Sequence, residues 1–102
     1  MNISTTTTTK HRLNITGIEN GEILTQRWGS RTRYQVDTVR VAWTSHDDGK
    51  TWKQEAIFVA GPKLKQDGSH SKVRTDDTLY SRDELPGWLS QLVIENAPAA
   101  GA

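Results

Sequence analysis

The chain contains no cysteine among its 102 residues, so it can form neither disulfide bonds nor metal sites built on thiolates. It has no apolar run long enough to cross a membrane, and its first residues lack the apolar centre of a signal peptide. We therefore expect a soluble cytoplasmic protein without a membrane partner.

Apolar residues and net charge are also scarce. Hydrophobic residues make up 33% of the chain and mean hydropathy is −0.69, so the core must be small. The 4 tryptophans supply large rings that can fill much of it. The net charge of +1 is far below that of a dedicated nucleic-acid-binding protein.

Common catalytic motifs are missing as well. The sequence has no internal repeat, no phosphate-binding glycine loop and no nucleophile elbow, and it is too short for several propeller blades. The histidines, His11, His46 and His70, lack the spacing of a helical zinc motif. We therefore nominate no catalytic, cofactor-binding or metal-binding residue, and we expect neither a cofactor nor enzymatic activity.

The most informative segment runs from Ser45 to Trp52 and reads SHDDGKTW. A tight loop between antiparallel strands needs local acceptors for its N–H groups and a residue that tolerates positive φ. Ser45, Asp47 and Gly49 supply both, and Trp52 would then fold back over the loop. A calcium loop is the alternative interpretation of Asp47 and Asp48, but the longer ligand series and closing glutamate of an EF-hand are absent.

This segment fits the pattern SxDxGxTW and resembles the Asp-box, a β-hairpin signature of sialidase-type propellers, some microbial ribonucleases and other β-proteins. In those families the box is a folding element that usually lies away from the chemistry. The resemblance therefore implies a structural role for Ser45, Asp47, Gly49, Thr51 and Trp52. His46 occupies a variable position of the pattern, and we interpret it as a solvated loop residue.

A small ribonuclease-like enzyme is the third functional hypothesis, after protein binding and nucleic-acid binding. It rests on the presence of this box in some ribonucleases. Such a site needs a carboxylate base, a histidine acid and phosphate-binding arginines. The candidates are Glu55, His70 and Arg74, with Arg40 or Arg33 in support. Those enzymes place their helix before the sheet, whereas the helix predicted here comes last.

Alternating apolar residues predict the first strands of a β-meander. Residues 13–18 and 23–28 are predicted to form a hairpin around the Asn-Gly pair at 20–21. A longer strand over 33–44 changes the parity of its apolar residues near Asp37 and Thr38. This change predicts a bulge or bend there, because a slip of one residue would otherwise turn the apolar side chains to the other face.

The sequence after the box is less regular. Residues 52–60 are predicted to pair with the strand before the box and to end at Gly61 and Pro62. Residues 63–72 form either a mobile loop or a weak hairpin around Leu64 and Val73. The sheet should therefore have about four strands.

Apolar residues at helical spacing near the C-terminus predict an amphipathic helix whose stripe consists of Leu85, Trp88, Leu89, Leu92 and Val93. The helix should begin between Arg82 and Pro86 and end near Asn96. We therefore predict a single α+β domain over residues 11–97, an antiparallel meander with this helix packed on one face. Threonine-rich residues 1–10 should be a disordered arm and residues 98–102 a flexible tail.

Two basic surfaces are candidates for binding. The first combines arginine with aromatic side chains, as surfaces that stack on single-stranded bases do, and consists of Arg27, Trp28, Arg31, Arg33 and Tyr34. The second is the segment that contains Lys63, Lys65, His70, Lys72 and Arg74. The alternative is that Trp28 belongs to the core and the charged residues are solvated.

Over residues 33–98 the chain resembles small uncharacterised proteins of actinobacterial phages, on its DDGKTW hairpin, its GPK segment and its closing DELPGWLSQL segment. Its threonine-rich start is similar too. The resemblance implies a phage-encoded accessory protein in the host cytoplasm and gives no catalytic residue. We expect it to bind an unidentified protein partner or to self-associate through an edge strand, with nucleic-acid binding as the alternative function.

Overall fold

The computed structural model describes residues 8–27, 29–80 and 84–99. Their elements, in chain order, are β1 (Thr9–Ile15), β2 (Ile23–Thr25), β3 (Arg33–Gln35), β4 (Thr38–Ser45), β5 (Lys53–Gln54), β6 (Ile57–Leu64), β7 (His70–Leu79) and α1 (Gly87–Asn96). All strand pairs are antiparallel. The predicted α+β class with one C-terminal helix is confirmed, but the sheet has 7 strands and not about four.

Strand β6 lies at the centre of the sheet. The strand order is β1-β4-β6-β3-β2, while β7 pairs with β6 and β5 pairs with β4. Strand β7 pairs with β6 along the whole length of one edge. On the other edge, β6 pairs first with β4, at residues 58–60, and then with β3, at Lys63. Neighbours in the sheet are thus often distant in the sequence, and the predicted simple meander is wrong.

The bend predicted near Asp37 and Thr38 is confirmed. Strand β3 ends at Gln35 and β4 begins at Thr38, so the long β-prone stretch is interrupted for two residues. The Asp37 N–H still donates to the Ala60 carbonyl at 2.9 Å, which keeps the chain attached to β6. As a result Val36 and Val39, which have opposite parity, are both fully buried in one core.

The predicted hairpin between residues 13–18 and 23–28 is wrong. Strand β1 pairs with β4, from Thr9 opposite Ser45 to Ile15 opposite Val39, and β2 pairs with β3. Asn20 does adopt the positive φ of 53° that a turn uses, but the chain then passes against the main chain of Val36 and does not return along β1. Long-range pairing therefore outweighs the local turn signal.

The start of β1 also moves one predicted boundary. Residues 9 and 10, assigned to the disordered arm, lie in β1 opposite Ser45 and Thr44. Residues 1–7 of that arm lie outside the described residues. At the other terminus, residues 98 and 99 have no regular secondary structure, and the rest of the predicted tail is likewise outside the described residues.

The strand predicted over residues 52–60 is interrupted and longer than expected. It consists of β5 and β6, and β6 continues through Gly61 and Pro62 to Leu64. Gly61 fits because the main chain of Gln35 lies against it, where a side chain would clash. Pro62, which has no N–H, is tolerated where the register of β6 and β7 shifts.

Residues 63–72 form a hairpin and not a loop. The Lys65 N–H donates to the Ser69 carbonyl at 2.8 Å, and Gly68 adopts a φ of 85° at the turn. The Asp67 carboxylate accepts the N–H of Ser69 at 2.9 Å. Strand β7, which follows, was predicted only in part, as the arm of a weak hairpin that contains Val73, because its segment is largely polar.

Helix α1 packs on one face of the sheet, as predicted. Leu89 and Val93 are buried, and the rest of the predicted stripe, Leu85, Trp88 and Leu92, packs against the core. The helix ends at Asn96 as expected but begins at Gly87, one residue after the predicted range, which includes Arg82 outside the described residues. The Pro86 carbonyl accepts the N–H groups of Leu89 and Ser90. No helix in the described part of the chain is long and apolar enough to span a membrane.

Candidate functional site

The two faces of the sheet differ in chemistry. Residues paired across antiparallel strands share a face, so the registers give each face its composition. The face under α1 carries buried apolar residues such as Val41 and Val59. We call the opposite one the open face; its charged and aromatic residues are Lys10, Arg12, Arg40, Lys53, Phe58, Arg74 and Asp76.

The centre of the open face is an arginine–aromatic pair. Arg40 on β4 lies opposite Phe58 on β6, and its guanidinium carbon is 5.4 Å from the centroid of the Phe58 ring. Arg40 is exposed and Phe58 half-buried. Two shallow depressions of about 250 Å³ and about 200 Å³ adjoin the pair, towards Arg12 and towards Arg74. A planar group could therefore reach the Arg40–Phe58 pair from the solvent through either depression.

Part of the positive charge on this face is already paired. The Arg74 guanidinium makes two hydrogen bonds to the Asp37 carboxylate, at 2.9 and 2.7 Å. These bonds lower the pKa of Asp37 and raise that of Arg74. Lys10 Nζ lies 3.8 Å from Glu55 Oε1, which forms a second ion pair.

The remaining basic side chains are free to act on a ligand. Arg12, Arg40 and Lys53 have no acidic partner among the described residues. They come from three neighbouring strands of the sheet, β1, β4 and β5. The open face therefore presents unpaired cations around an aromatic ring on a rigid support.

The first predicted surface is not formed as expected. Tyr34 has 0% exposure and cannot act as an exposed stacking residue, because it lies in the core under α1. Arg27 and Arg31 are exposed and line a cleft beside Tyr34. Arg33 is exposed on β3, and Trp28 lies outside the described residues.

The second predicted surface is the β6–β7 hairpin. Its basic residues, Lys63, Lys65, His70, Lys72 and Arg74, are all exposed. His70 hydrogen-bonds through Nε2 to the Gln35 side-chain oxygen at 2.6 Å. Arg74, through its place opposite Pro62, belongs to the open face.

The residues nominated for ribonuclease chemistry do not form one site. The Glu55 N–H donates to the Ala42 carbonyl on β4, and Glu55 lies two residues before the start of β6. His70 lies opposite Leu64 at the far end of β6. The length of β6, from Ile57 to Leu64, separates them by about 23 Å or more, too far for a shared proton-transfer site.

The 45–52 loop has the hydrogen bonds of a closed turn. The Ser45 hydroxyl donates to Asp47 Oδ1 at 2.7 Å and accepts the Gly49 N–H at 2.8 Å. Asp47 also accepts the Thr51 N–H at 2.9 Å and the Thr51 hydroxyl. The half-buried Trp52 ring lies against Gly49, 3.7 Å from where a Cβ would stand. Both Asp47 oxygens are thus occupied by protein donors, which leaves them poorly placed for calcium.

These bonds make the loop sensitive to acid. The hydrogen bond from the Thr51 hydroxyl, followed by those from the Thr51 N–H and the Ser45 hydroxyl, lowers the pKa of Asp47 to about 2. Because an unfolded aspartate titrates near about 4, the contribution of Asp47 to stability is complete above that pH and disappears as the pH falls through about 2.

We expect Asp47→Asn to be less stable than the wild type at neutral pH and to lose less stability on acidification. The measurement is the urea midpoint at pH 7, 4 and 2.5. Asp48→Asn is the matched control, because Asp48 follows Asp47 in the sequence and its own carboxyl group makes no comparable hydrogen bonds in the loop. Parallel pH profiles of the wild type and Asp47→Asn would contradict the assignment.

Comparison with protein-family models, with curated proteins and with solved structures returned no match. The described residues also contain no group of three or more acidic or histidine side chains that could hold a metal ion.

Sequence reasoning missed Arg12, Lys53 and Phe58. Polar and apolar residues alternate along both strands: Arg12 precedes Leu13 on β1, and Arg40 lies between Val39 and Val41 on β4. This alternation indicated a second, polar face of the sheet. That signal shows which residues point away from the core. It does not show which strands are neighbours, and the cluster exists only because β1, β4 and β6 are adjacent.

Proposed function

We propose that the protein is a non-enzymatic module that binds single-stranded nucleic acid on the open face. The observation that carries this proposal is the exposed Arg40 guanidinium over the Phe58 ring, with unpaired Arg12 and Lys53 on the adjacent strands. Bases stack on aromatic rings and arginine planes, and cations beside them follow the phosphate backbone.

The low net charge is compatible with this proposal. Affinity for a phosphate chain depends on the cations that contact it, and the open face presents Arg12, Arg40 and Lys53 without acidic partners among the described residues although the overall charge is only +1. With three unpaired cations, the slope of log affinity against log salt should be about −2 for a single strand. Binding would thus be moderate and sensitive to salt.

Protein association is a second candidate function, favoured by the outer edge of β7, where the Gln26 side chain donates to the Asp76 carbonyl but no strand pairs among the described residues. Within the described residues this strand of 10 residues pairs with β6 alone, and Val73 on it is 60% exposed. Under this proposal the protein is a phage-encoded accessory protein that acts in the host cytoplasm, and its 45–52 loop is an Asp-box hairpin. Dimerisation in sedimentation experiments without nucleic-acid binding would favour it.

The decisive test of the first candidate is fluorescence anisotropy with labelled single-stranded oligonucleotides and a matched duplex. We expect Phe58→Leu to weaken single-strand binding about fivefold or more, because the loss of base stacking costs about 1–3 kcal/mol. Arg40→Ala should weaken binding and reduce the salt slope by about 0.7.

Lys65→Ala is the control, because it removes one positive charge from the hairpin tip and leaves the open face intact. Equal losses in Lys65→Ala and Arg40→Ala would mean that binding follows total charge and not this face. Equal affinity for the duplex would exclude base stacking. Absence of binding at low salt would overturn the proposal.

A further inference from the structure

A cleft of about 440 Å³ lies on the other side of the sheet from the open face. Its walls come from β2, from the end of β7 and from residues 84–86 before α1. Tyr34 and Asp77 line it, and both are more than nine-tenths buried, with exposures of 0% and 5%. A buried hydroxyl group and a buried carboxyl group thus line the same cleft.

Asp77 lies on the core face of β7, opposite Val59. Its Oδ2 accepts the N–H of Arg27 at 3.0 Å, and its Oδ1 accepts the N–H of Thr78 at 3.0 Å. A carboxylate can accept about four hydrogen bonds, so both oxygens have capacity left. No lysine or arginine side chain in the described part of the chain pairs with it. Buried carboxyl groups are ordinarily compensated by a cation or by further donors.

The Tyr34 hydroxyl also lacks a partner. Its oxygen is buried and makes no hydrogen bond to the described residues. Burial, and then the nearby charge of Asp77, raise the pKa of Tyr34, so the hydroxyl stays protonated at neutral pH. Because most buried polar groups in folded proteins are paired, the Tyr34 hydroxyl marks an unfilled hydrogen-bonding position beside the buried Asp77 carboxylate.

The rest of the lining favours one chemical class of ligand. Three carboxylates line the cleft, those of Glu22, Glu84 and Asp77, against two guanidinium groups, those of Arg27 and Arg31, and the Arg27 guanidinium already donates to the Glu84 carbonyl at 2.6 Å. Apolar side chains complete the wall: Leu24, Leu79 and Leu85. A group with several N–H donors on an aliphatic stem matches both parts of this lining.

We propose that this cleft binds a small organic cation, whose ammonium or guanidinium group donates to Asp77 and to the Tyr34 hydroxyl. The aliphatic part of the ligand lies against the leucine side chains. This site is separate from the open face and does not depend on nucleic-acid binding.

The test is isothermal titration calorimetry of the full chain with agmatine, which carries both cationic groups on an aliphatic stem, at fixed ionic strength. We expect agmatine to bind the wild type and Asp77→Asn to weaken the binding at least about tenfold, the effect of losing a charged hydrogen-bond partner. Tyr34→Phe, which removes only the hydroxyl, should weaken it about threefold. Should Asp77→Asn fail to fold, Tyr34→Phe decides the question alone.

Two matched controls complete the experiment. Asp76→Asn removes the adjacent carboxylate from the open face, and Phe58→Leu alters the proposed nucleic-acid surface; both should bind agmatine like the wild type. Butyrate, an anion of similar size, should not bind. No binding of agmatine, unchanged affinity in Tyr34→Phe, or equal binding of butyrate would overturn the proposal.

Discussion

Addition of a single methyl group in Gly61→Ala is expected to lower the melting temperature by about 12 °C or more. A Cβ at this position would lie 1.6 Å from the Gln35 carbonyl oxygen and 3.2 Å from the Cα of Val36. These are main-chain atoms, so relief requires β6 to move away from the β3–β4 junction. Overpacking of this kind costs about 3 kcal/mol or more, and each kcal/mol lowers the melting temperature of a domain this small by about 4 °C or more.

Thermal unfolding followed by circular dichroism measures this effect. Gly87→Ala is the matched control, because a Cβ there meets no atom within 4 Å and the residue begins α1. It should leave stability unchanged or raise it by up to about 1 kcal/mol, since alanine favours the helix. If Gly61→Ala melted like the wild type, the close approach of Gln35 to Gly61 would be disproved.

Leu89→Ala should lower the free energy of unfolding by about 2–5 kcal/mol, the usual cost of removing a large buried aliphatic side chain. Leu89 is 0% exposed and belongs to the cluster that joins α1 to the sheet. Deletion of its side chain leaves a cavity between helix and sheet that the rigid strands cannot fill. Urea denaturation monitored by tryptophan fluorescence gives the free energy.

Ile94→Ala on the same helix is the control for Leu89→Ala. Ile94 is 68% exposed, so its truncation should change stability by no more than about 0.5 kcal/mol. The two substitutions have similar effects on helix propensity, so the difference between them isolates packing on the sheet. Equal, small effects would show that α1 does not depend on this contact.

Local patterns predicted the elements whose determinants are local. The stripe from Leu85 to Val93 follows a 3.6-residue period, and one side of α1 does face the core. The parity change at Asp37 likewise marked the break between β3 and β4. Both signals lie within a few residues of the structure they predict.

Elements fixed by distant partners were not predictable in the same way. Strand β7 carries Thr75, Asp76, Asp77 and Thr78 in succession and has almost no apolar alternation, so only pairing with β6 makes it a strand. The Asn-Gly pair correctly predicted a turn conformation at Asn20, but it wrongly predicted that β1 pairs with the strand that follows the turn. Turn chemistry acts over a few residues, whereas strand choice depends on the whole sheet.

The candidate sites show the same division. Arg12, Arg40 and Phe58 are separated in sequence and meet only through the order of β1, β4 and β6. Asp77 lies in a polar stretch of the sequence, yet its register opposite Val59 places it on the buried face. Without the registers, neither the cationic face nor the cleft could be derived from composition.

The central position of β6 has a consequence for how the chain folds. Strands β1, β3 and β4 all precede β6, and both β4 and β3 need it as a partner. During synthesis they must therefore wait until residues 57–64 have left the ribosome. Loop closures over such separations are slow compared with local hairpins. Until then the apolar side chains of β4 remain without their cover, and α1 can close the core only after residues 87–96 have also left the ribosome.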